Sequence, residues 1–185
     1  RTVQVVSVLG FAIPGFLIAI LLVNVFALGL AWFRPTGYVP FSTSVTGWLG
    51  TVTLPIIALS VGAIAVIAVQ VRGSVLDTMR QDWVRTLRSR GLSETRILYK
   101  HVLRNAGGPA LAVLGVQFVS LLGGAVIVET VFAIPGLGQI AVSATAQGDI
   151  PLVMGLVVAT AGIVVVVNLV IDIAHGFLNP KVRVS

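Results

Sequence analysis

Residues 82–109 read DWVRTLRSRGLSETRILYKHVLRNAGGP, and this stretch decides how the rest of the chain is understood. It carries six of the twelve lysines and arginines. Long charge-free runs surround it: Thr2–Phe33, Pro35–Val71, Asn105–Val128, Thr130–Gly148 and Ile150–Ile171. A helix needs roughly 20 mostly apolar residues to cross a bilayer. All of these runs except Thr130–Gly148 are therefore candidate spans. In that run Pro135, Gly136 and Gly138 break the first half, and polar residues fill the second. The chain is 57% apolar and 10% charged, where a soluble domain carries about 25% charge. Four buried helices in 185 residues would leave too little polar sequence to cover a soluble core. The fold class read from this pattern is an all-α membrane protein, a polytopic helical bundle forming a single transmembrane domain over 1–185.

The expected spans run from about 5 to 32, 51 to 72, 105 to 129 and 151 to 174. With the N-terminus inside, the inner side collects Arg1, the eight basic residues from Arg72 to Arg104, Lys181 and Arg183. The outer loops Phe33–Gly50 and Thr130–Ile150 carry only Arg34. That asymmetry satisfies the positive-inside rule and returns the C-terminus to the cytoplasm. The net charge of +6 thus reports orientation before any nucleic-acid partner. No cysteine is present, which excludes disulfides and thiolate metal sites. The start at Arg1, without methionine or a signal-peptide pattern, reads as a cut in a longer polypeptide.

Pro14 and Pro55 fall within expected spans, as packing kinks or as pathway-lining bends. Gly107, Gly108, Gly115, Gly123 and Gly124 enrich the third span in small residues, which let helix backbones approach closely in lipid.

The charged stretch itself reads as a short amphipathic helix, a turn at Gly91 and a second helix leading into the third span. Trp83, Val84 and Leu87 share one face of the first helix, while Arg85 and Arg88 take others. Gly91 suits a helix stop because glycine tolerates the left-handed conformation. Ser93 is placed to cap the second helix, with Glu94 near its positive end. Ile97, Leu98 and Val102 continue an apolar stripe. The plain alternative is a basic loop that enforces orientation and touches anionic membrane lipid. Nucleic-acid binding lacks any supporting motif.

Polar groups near the spans are few. Glu129 and Asp172 sit near opposite faces, paired structurally or lining a pathway. Gln117 and Asn168 read as buried amides joining helices. His101 and His175 lie in different segments without further ligands, so they make no metal site. No GxxxxGK[ST] phosphate loop occurs. Ser60 and Ser120 lie mid-span without an obvious base, which disfavours an intramembrane hydrolase. An ion-coupled secondary transporter would show acids at span centres and inverted repeats, and neither is visible.

These residues together resemble the integral membrane permease subunit of bacterial ABC importers, of the dipeptide/oligopeptide/nickel class. The general mark of such permeases is a Glu-Ala-Ala loop with a glycine six positions after the Glu and a proline about 18 further on. Gly91 and Pro109 keep that spacing, but Arg85-Thr86-Leu87 replaces Glu-Ala-Ala. The peptide class is itself similar to the version here: Arg85-Thr86, Arg88, Gly91-Leu92, His101, Leu103 and Arg104-Asn105-Ala106. Leu54-Pro55, Glu129-Thr130-Val131-Phe132, Pro135-Gly136-Leu137-Gly138, Asp149 with Pro151, Asn168-Leu169, Asp172 and Asn179-Pro180-Lys181-Val182-Arg183 extend the likeness in order.

The resemblance implies the type I ABC importer fold in a bacterial plasma (inner) membrane. The four spans would correspond to the last four of the usual six. It implies a coupling loop over about 75–104, with Arg85, Thr86, Arg88, Arg90, Gly91, Leu92, Glu94 and His101 meeting an ATPase subunit, and Gly91 setting the turn. It implies an outer loop facing a substrate-binding protein, through Phe132, Pro135, Gly136, Gly138 and Asp149. Gln117, Glu129, Asn168 and Asp172 are the pathway or gating candidates. ATP and Mg would be bound by two partner ATPase subunits, with no cofactor and no catalysis in this chain. A second permease subunit and an extracytoplasmic binding protein complete the implied assembly. The implied cargo is di- or oligopeptides, with nickel as another cargo of the class. Apolar residues of the coupling loop are expected to fill the partner's groove, with the basic residues at its rim.

Overall fold

The computed structural model describes residues 14–178, and within them every regular element is helical. In chain order these are α1 (Gly15–Leu22), α2 (Val45–Met79), α3 (Asp82–Ser89), α4 (Glu94–Arg96), α5 (Leu103–Phe132), α6 (Leu137–Gln147) and α7 (Ile150–Leu178). A π-helical stretch, Val23–Gly29, continues α1. A second, Ile97–Val102, joins α4 to α5 without a break.

Among the described residues, three helices are long and apolar enough to cross a membrane: Val45–Met79, Glu94–Phe132 and Ile150–Phe177. Gly15–Gly29 is apolar but shorter. The remainder of the expected first span, before Pro14, lies outside the described residues, as does the Asn179–Ser185 tail. Pro14 itself stands at the N-cap of α1 with ψ 136°. Pro55 does sit inside a helix, α2, where it is buried beside Leu54. Its ring denies the Thr51 carbonyl an N–H.

The helix Glu94–Phe132 has 39 residues. At 1.5 Å per residue it is roughly 60 Å long, about twice the hydrocarbon thickness. Its charged beginning therefore projects out of the apolar layer.

The chain divides into two compact units. Unit 1 comprises Arg1–Ala65 and Val119–Gly162. Its core is Ala19, Ala27, Leu54, Ala58, Val128 and Phe132, with Leu22, Phe26 and Val131 packed around them. Three of these core residues are alanines, which bring α1, α2 and α5 close together. Aromatic residues gather in the connection from α1 to α2 and at the start of α2. Trp32 is exposed, and Phe41 meets Trp48 edge-on at 5.4 Å. Such rings suit the level of lipid headgroups.

Unit 2 comprises Val66–Phe118 and Ile163–Ser185. Its core is Val84, Ile97 and Val102, all fully buried, with Val75, Met79, Trp83, Leu87, Leu92 and Leu98 around them.

Candidate functional site

The charged segment folds as a helix, a turn and a helix, each part fixed by a local device. α3 has Gln81 at its N-cap, Asp82 in its first turn and Arg88 in its last, which matches the helix dipole at both ends. It ends at Gly91, whose φ of +78° places it in the left-handed region. The Gly91 N–H donates to the Arg88 carbonyl at 2.9 Å, and the Leu92 N–H to the Leu87 carbonyl at 3.3 Å. This pair of bonds is a Schellman closure, and Leu92 and Leu87 pack in the same core as such a closure favours. No atom lies within 4 Å of where a Gly91 side chain would begin. The demand for glycine is therefore conformational rather than steric.

A second link crosses the turn. Arg88 Nε donates to Glu94 Oε1 at 2.6 Å, and Arg88 Nη2 to Glu94 Oε2 at 3.2 Å. The hydrogen bond from Arg88 holds the Glu94 carboxyl below its ordinary range, and the same bond raises the Arg88 guanidinium. Ser93 stands at the N-cap of the second helix in extended conformation, but its hydroxyl makes no cap bond. The carboxylate beside it is drawn to Arg88 instead.

The apolar stripe is used up internally. Val84, Ile97 and Val102 are fully buried, with Trp83, Leu87, Leu92 and Leu98 against them. The expectation that these residues fill a partner's groove is thus corrected: two short helices need their apolar faces for each other. Left exposed are, among others, Asp82, Arg85, Thr86, Arg88, Ser89, Arg90, Glu94, Arg96, Tyr99 and Lys100. The Thr86 and Ser89 hydroxyls turn back onto helix carbonyls at Asp82 and Thr86. His101 is half-buried, and its carbonyl accepts the Asn105 side-chain amide at 2.9 Å.

The outer turn after α5 is built around Glu129. Its Oε2 accepts the backbone N–H of Gln139 at 2.9 Å, while Gln139 Nε2 reaches the Glu129 carbonyl at 3.3 Å. The carboxylate thereby caps one of the N–H groups that open α6 without a partner inside the helix. Gly136 and Gly138 leave it room: a Cβ on Gly136 would overlap the Glu129 carboxyl. A Cβ on Gly138 would lie 2.8 Å from both Glu129 Oε2 and the Val126 Cα. α5 closes with Ala133 at φ +51°, the Ala133 and Ile134 N–H groups donating to Thr130 and Glu129 carbonyls. α6 closes on Gly148 at φ +70°. Asp149 then caps α7, Oδ1 accepting the Leu152 N–H at 3.1 Å. A groove of about 280 Å³ runs along α6, its polar lining formed by Gln139, Ser143, Gln147 and Asp149. Phe132, expected on this outer surface, is instead buried in the core of unit 1.

The model of the family described as "Binding-protein-dependent transport system inner membrane component" matches residues 1–184. The chain belongs to that family.

Relatives within the family share a third or more of its residues. It is 36% identical over 99% of its length to a probable peptide ABC transporter permease protein of Sinorhizobium fredii, covering 58% of that protein. It is 40% identical over 98% of its length to a putative peptide transport system permease protein of Brucella abortus, again covering 58%. It is 38% identical over 96% of its length to the dipeptide transport system permease protein of Bacillus subtilis, covering 55%. The chain thus spans somewhat over half the length of the curated relatives it matches.

As an inner membrane component of this family, the chain is a multi-pass helical membrane protein, and the remaining polar candidates are read in that setting. Asn168 and Gln117 were expected to be buried. Gln117 is half-buried and Asn168 exposed. Asn168 still seats its amide oxygen against α5, where a Cβ on Gly115 would lie 2.8 Å from Oδ1. One heptad away His175 does the same, Nε2 lying 2.7 Å from a Cβ position on Gly108. Two glycines on α5 thus receive two polar side chains of α7, in antiparallel order. The sequence shows both glycines but not their partners sixty residues on. Gly123 and Gly124 have open space instead. Asp172 is exposed, and its side chain makes no hydrogen bond or ion pair among the described residues. Among the described residues no three of His, Cys, Asp or Glu converge as a metal site.

Proposed function

We propose that this chain forms the greater part of a membrane-spanning permease subunit of an ATP-driven importer for di- or oligopeptides. The observation that carries the reading is the charged helix–glycine–helix element between apolar helices, in a chain whose family is defined by binding-protein-dependent transport. The names of its relatives, which specify peptides, favour that cargo over nickel. Spans at about 5–32, 51–72, 105–129 and 151–174 place the charged element, about 75–104, in the cytoplasm together with the C-terminus.

There the element docks on an ATPase subunit. Two such subunits bind ATP and Mg and close on each other during hydrolysis. Their closure moves the docked elements of this subunit and of a second permease subunit, and the spans pass between inward-facing and outward-facing states. Arg85, Thr86, Arg88, Arg90, Gly91, Leu92, Glu94 and His101 act in docking or in shaping the docked element. On the outer side, Pro135, Gly136, Gly138 and Asp149 shape the surface offered to a substrate-binding protein. Glu129 holds that surface in place. Gln117, Asn168 and Asp172 remain the pathway candidates.

The test is uptake by proteoliposomes containing the full-length permease, its second permease subunit, its ATPase subunits and its binding protein. Labelled peptide should accumulate only with internal or external ATP on the ATPase side. Accumulation driven by a proton or sodium gradient without ATP would overturn the proposal.

A further inference from the structure

Apart from the exposed Tyr99, the apolar residues of the charged element over 83–102 are buried or half-buried against one another, so they offer a partner little surface to grip. Val84, Ile97 and Val102 have no exposed surface, and Trp83, Leu87 and Leu98 pack over them. The outer face of α3 offers Asp82, Arg85, Thr86, Arg88 and Ser89, with Arg90 following in the turn. The two hydroxyls among these are already bonded to backbone carbonyls. Arg88 is spent on Glu94. The guanidinium groups of Arg85 and Arg90 make no ion pair or hydrogen bond among the described residues. Asp82 is the one acid left to oppose them on this face, and Arg80 just ahead of it adds a further positive charge.

We infer that the docking face of this element is a cationic one, centred on Arg85 and Arg90, and that it fits an acidic groove on the ATPase subunit. The inference rests on the proposed function and goes beyond it by reversing the expected contact: charge at the centre rather than at the rim. Anionic lipid would also attract these arginines, but lipid needs no ordered element. This element is ordered three times over, by its own core, by the Gly91 closure and by the Arg88–Glu94 link. Such ordering lowers the entropic cost of meeting a shaped protein surface. A guanidinium also presents a planar fork that matches a carboxylate with two parallel bonds.

The test uses the full transporter complex. ATPase subunits retained by the permease are measured as salt is raised, for the wild type, for Arg85→Gln with Arg90→Gln, and for Arg85→Glu with Arg90→Glu. Each is measured with neutral lipid alone and with added anionic lipid. Both positions are exposed, so the variants should insert and fold. The expected result is loss of retention as screening shortens to less than about 10 Å. The neutralised variant should bind weakly and with little salt dependence, and the reversed variant at least about tenfold more weakly than wild type, which corresponds to about 1.4 kcal/mol. Retention that ignores both salt and these substitutions would overturn the inference. So would an effect that appears only with anionic lipid, because the lipid would then hold the arginines. In either case the proposed function would stand if a side chain at Gly91 still uncouples the complex.

Discussion

The Glu129 carboxylate accepts the backbone N–H of Gln139 at 2.9 Å, ten residues along the chain and on the far side of a turn. The bond joins the end of α5 to the beginning of α6. Glu129→Ala should remove about 1 kcal/mol, the usual worth of a side-chain cap. Glu129→Gln keeps an oxygen acceptor and should retain most of it. Hydrogen exchange at the amides of Gly138, Gln139 and Ile140 would report the difference directly, with faster exchange in the alanine variant.

The glycines of the same turn should not be equivalent to those of the α5–α7 contact. A methyl on Gly138 meets the backbone of Val126 at 2.8 Å, which cannot step aside. Gly138→Ala should cost about 1–3 kcal/mol, as overpacking does. A methyl on Gly115 is crowded by the tip of the Asn168 side chain, with Ile171 at ordinary contact distance, and should cost less. Asn168→Ala should then relieve Gly115→Ala in a double-mutant cycle. Thermal unfolding of the four variants in detergent checks both statements.

Ala133 occupies a left-handed helix end, φ +51°, without being glycine. The conformation costs an L-residue about 1–2 kcal/mol. Ala133→Gly should therefore raise the melting temperature, offset in part by the greater freedom of glycine in the unfolded chain. A lower melting temperature would show that the alanine methyl is held by contacts that outweigh the strain.

The link between Arg88 and Glu94 carries a pH dependence of known sign. Arg88 depresses the Glu94 carboxyl below its ordinary value of 4.5. The folded form thus binds its proton less readily than the unfolded chain. The contribution is complete above that ordinary value and is lost as pH falls through the depressed one. Near neutral pH it is constant, and being exposed it is screened by salt. Protection of the Gly91 and Leu92 amides, taken relative to the unfolded chain at the same pH, should fall on acidification in the wild type. In Glu94→Gln it should be low throughout.

Much of this architecture is legible in the sequence because it is local. The alternation of charge-free runs with one charged stretch marks the long helices, since bilayer thickness fixes their length. Gly91 announces its left-handed turn, and Pro135-Gly136 the break before α6, because backbone sterics act within a few residues. Partners distant in sequence are not legible. Nothing near Glu129 indicates that its carboxylate closes α6, or near Gly115 that Asn168 rests on it. The apolar stripe of 83–102 is visible, but periodicity shows only that a face is buried, not what buries it. For that reason the stripe reads as a docking surface in sequence and proves to be the element's own core.

The most direct measurement is substrate-stimulated ATP hydrolysis by the complete reconstituted transporter, comparing Gly91 with Gly91→Val. The space at Gly91 is open, so the variant changes the turn and not the packing around it. A β-branched residue is strongly disfavoured at φ +78°. The account predicts that the variant inserts normally but loses most of the peptide- and binding-protein-dependent hydrolysis, together with uptake. Undiminished stimulation and uptake would contradict it, and would reduce the charged segment to an anchor that sets orientation.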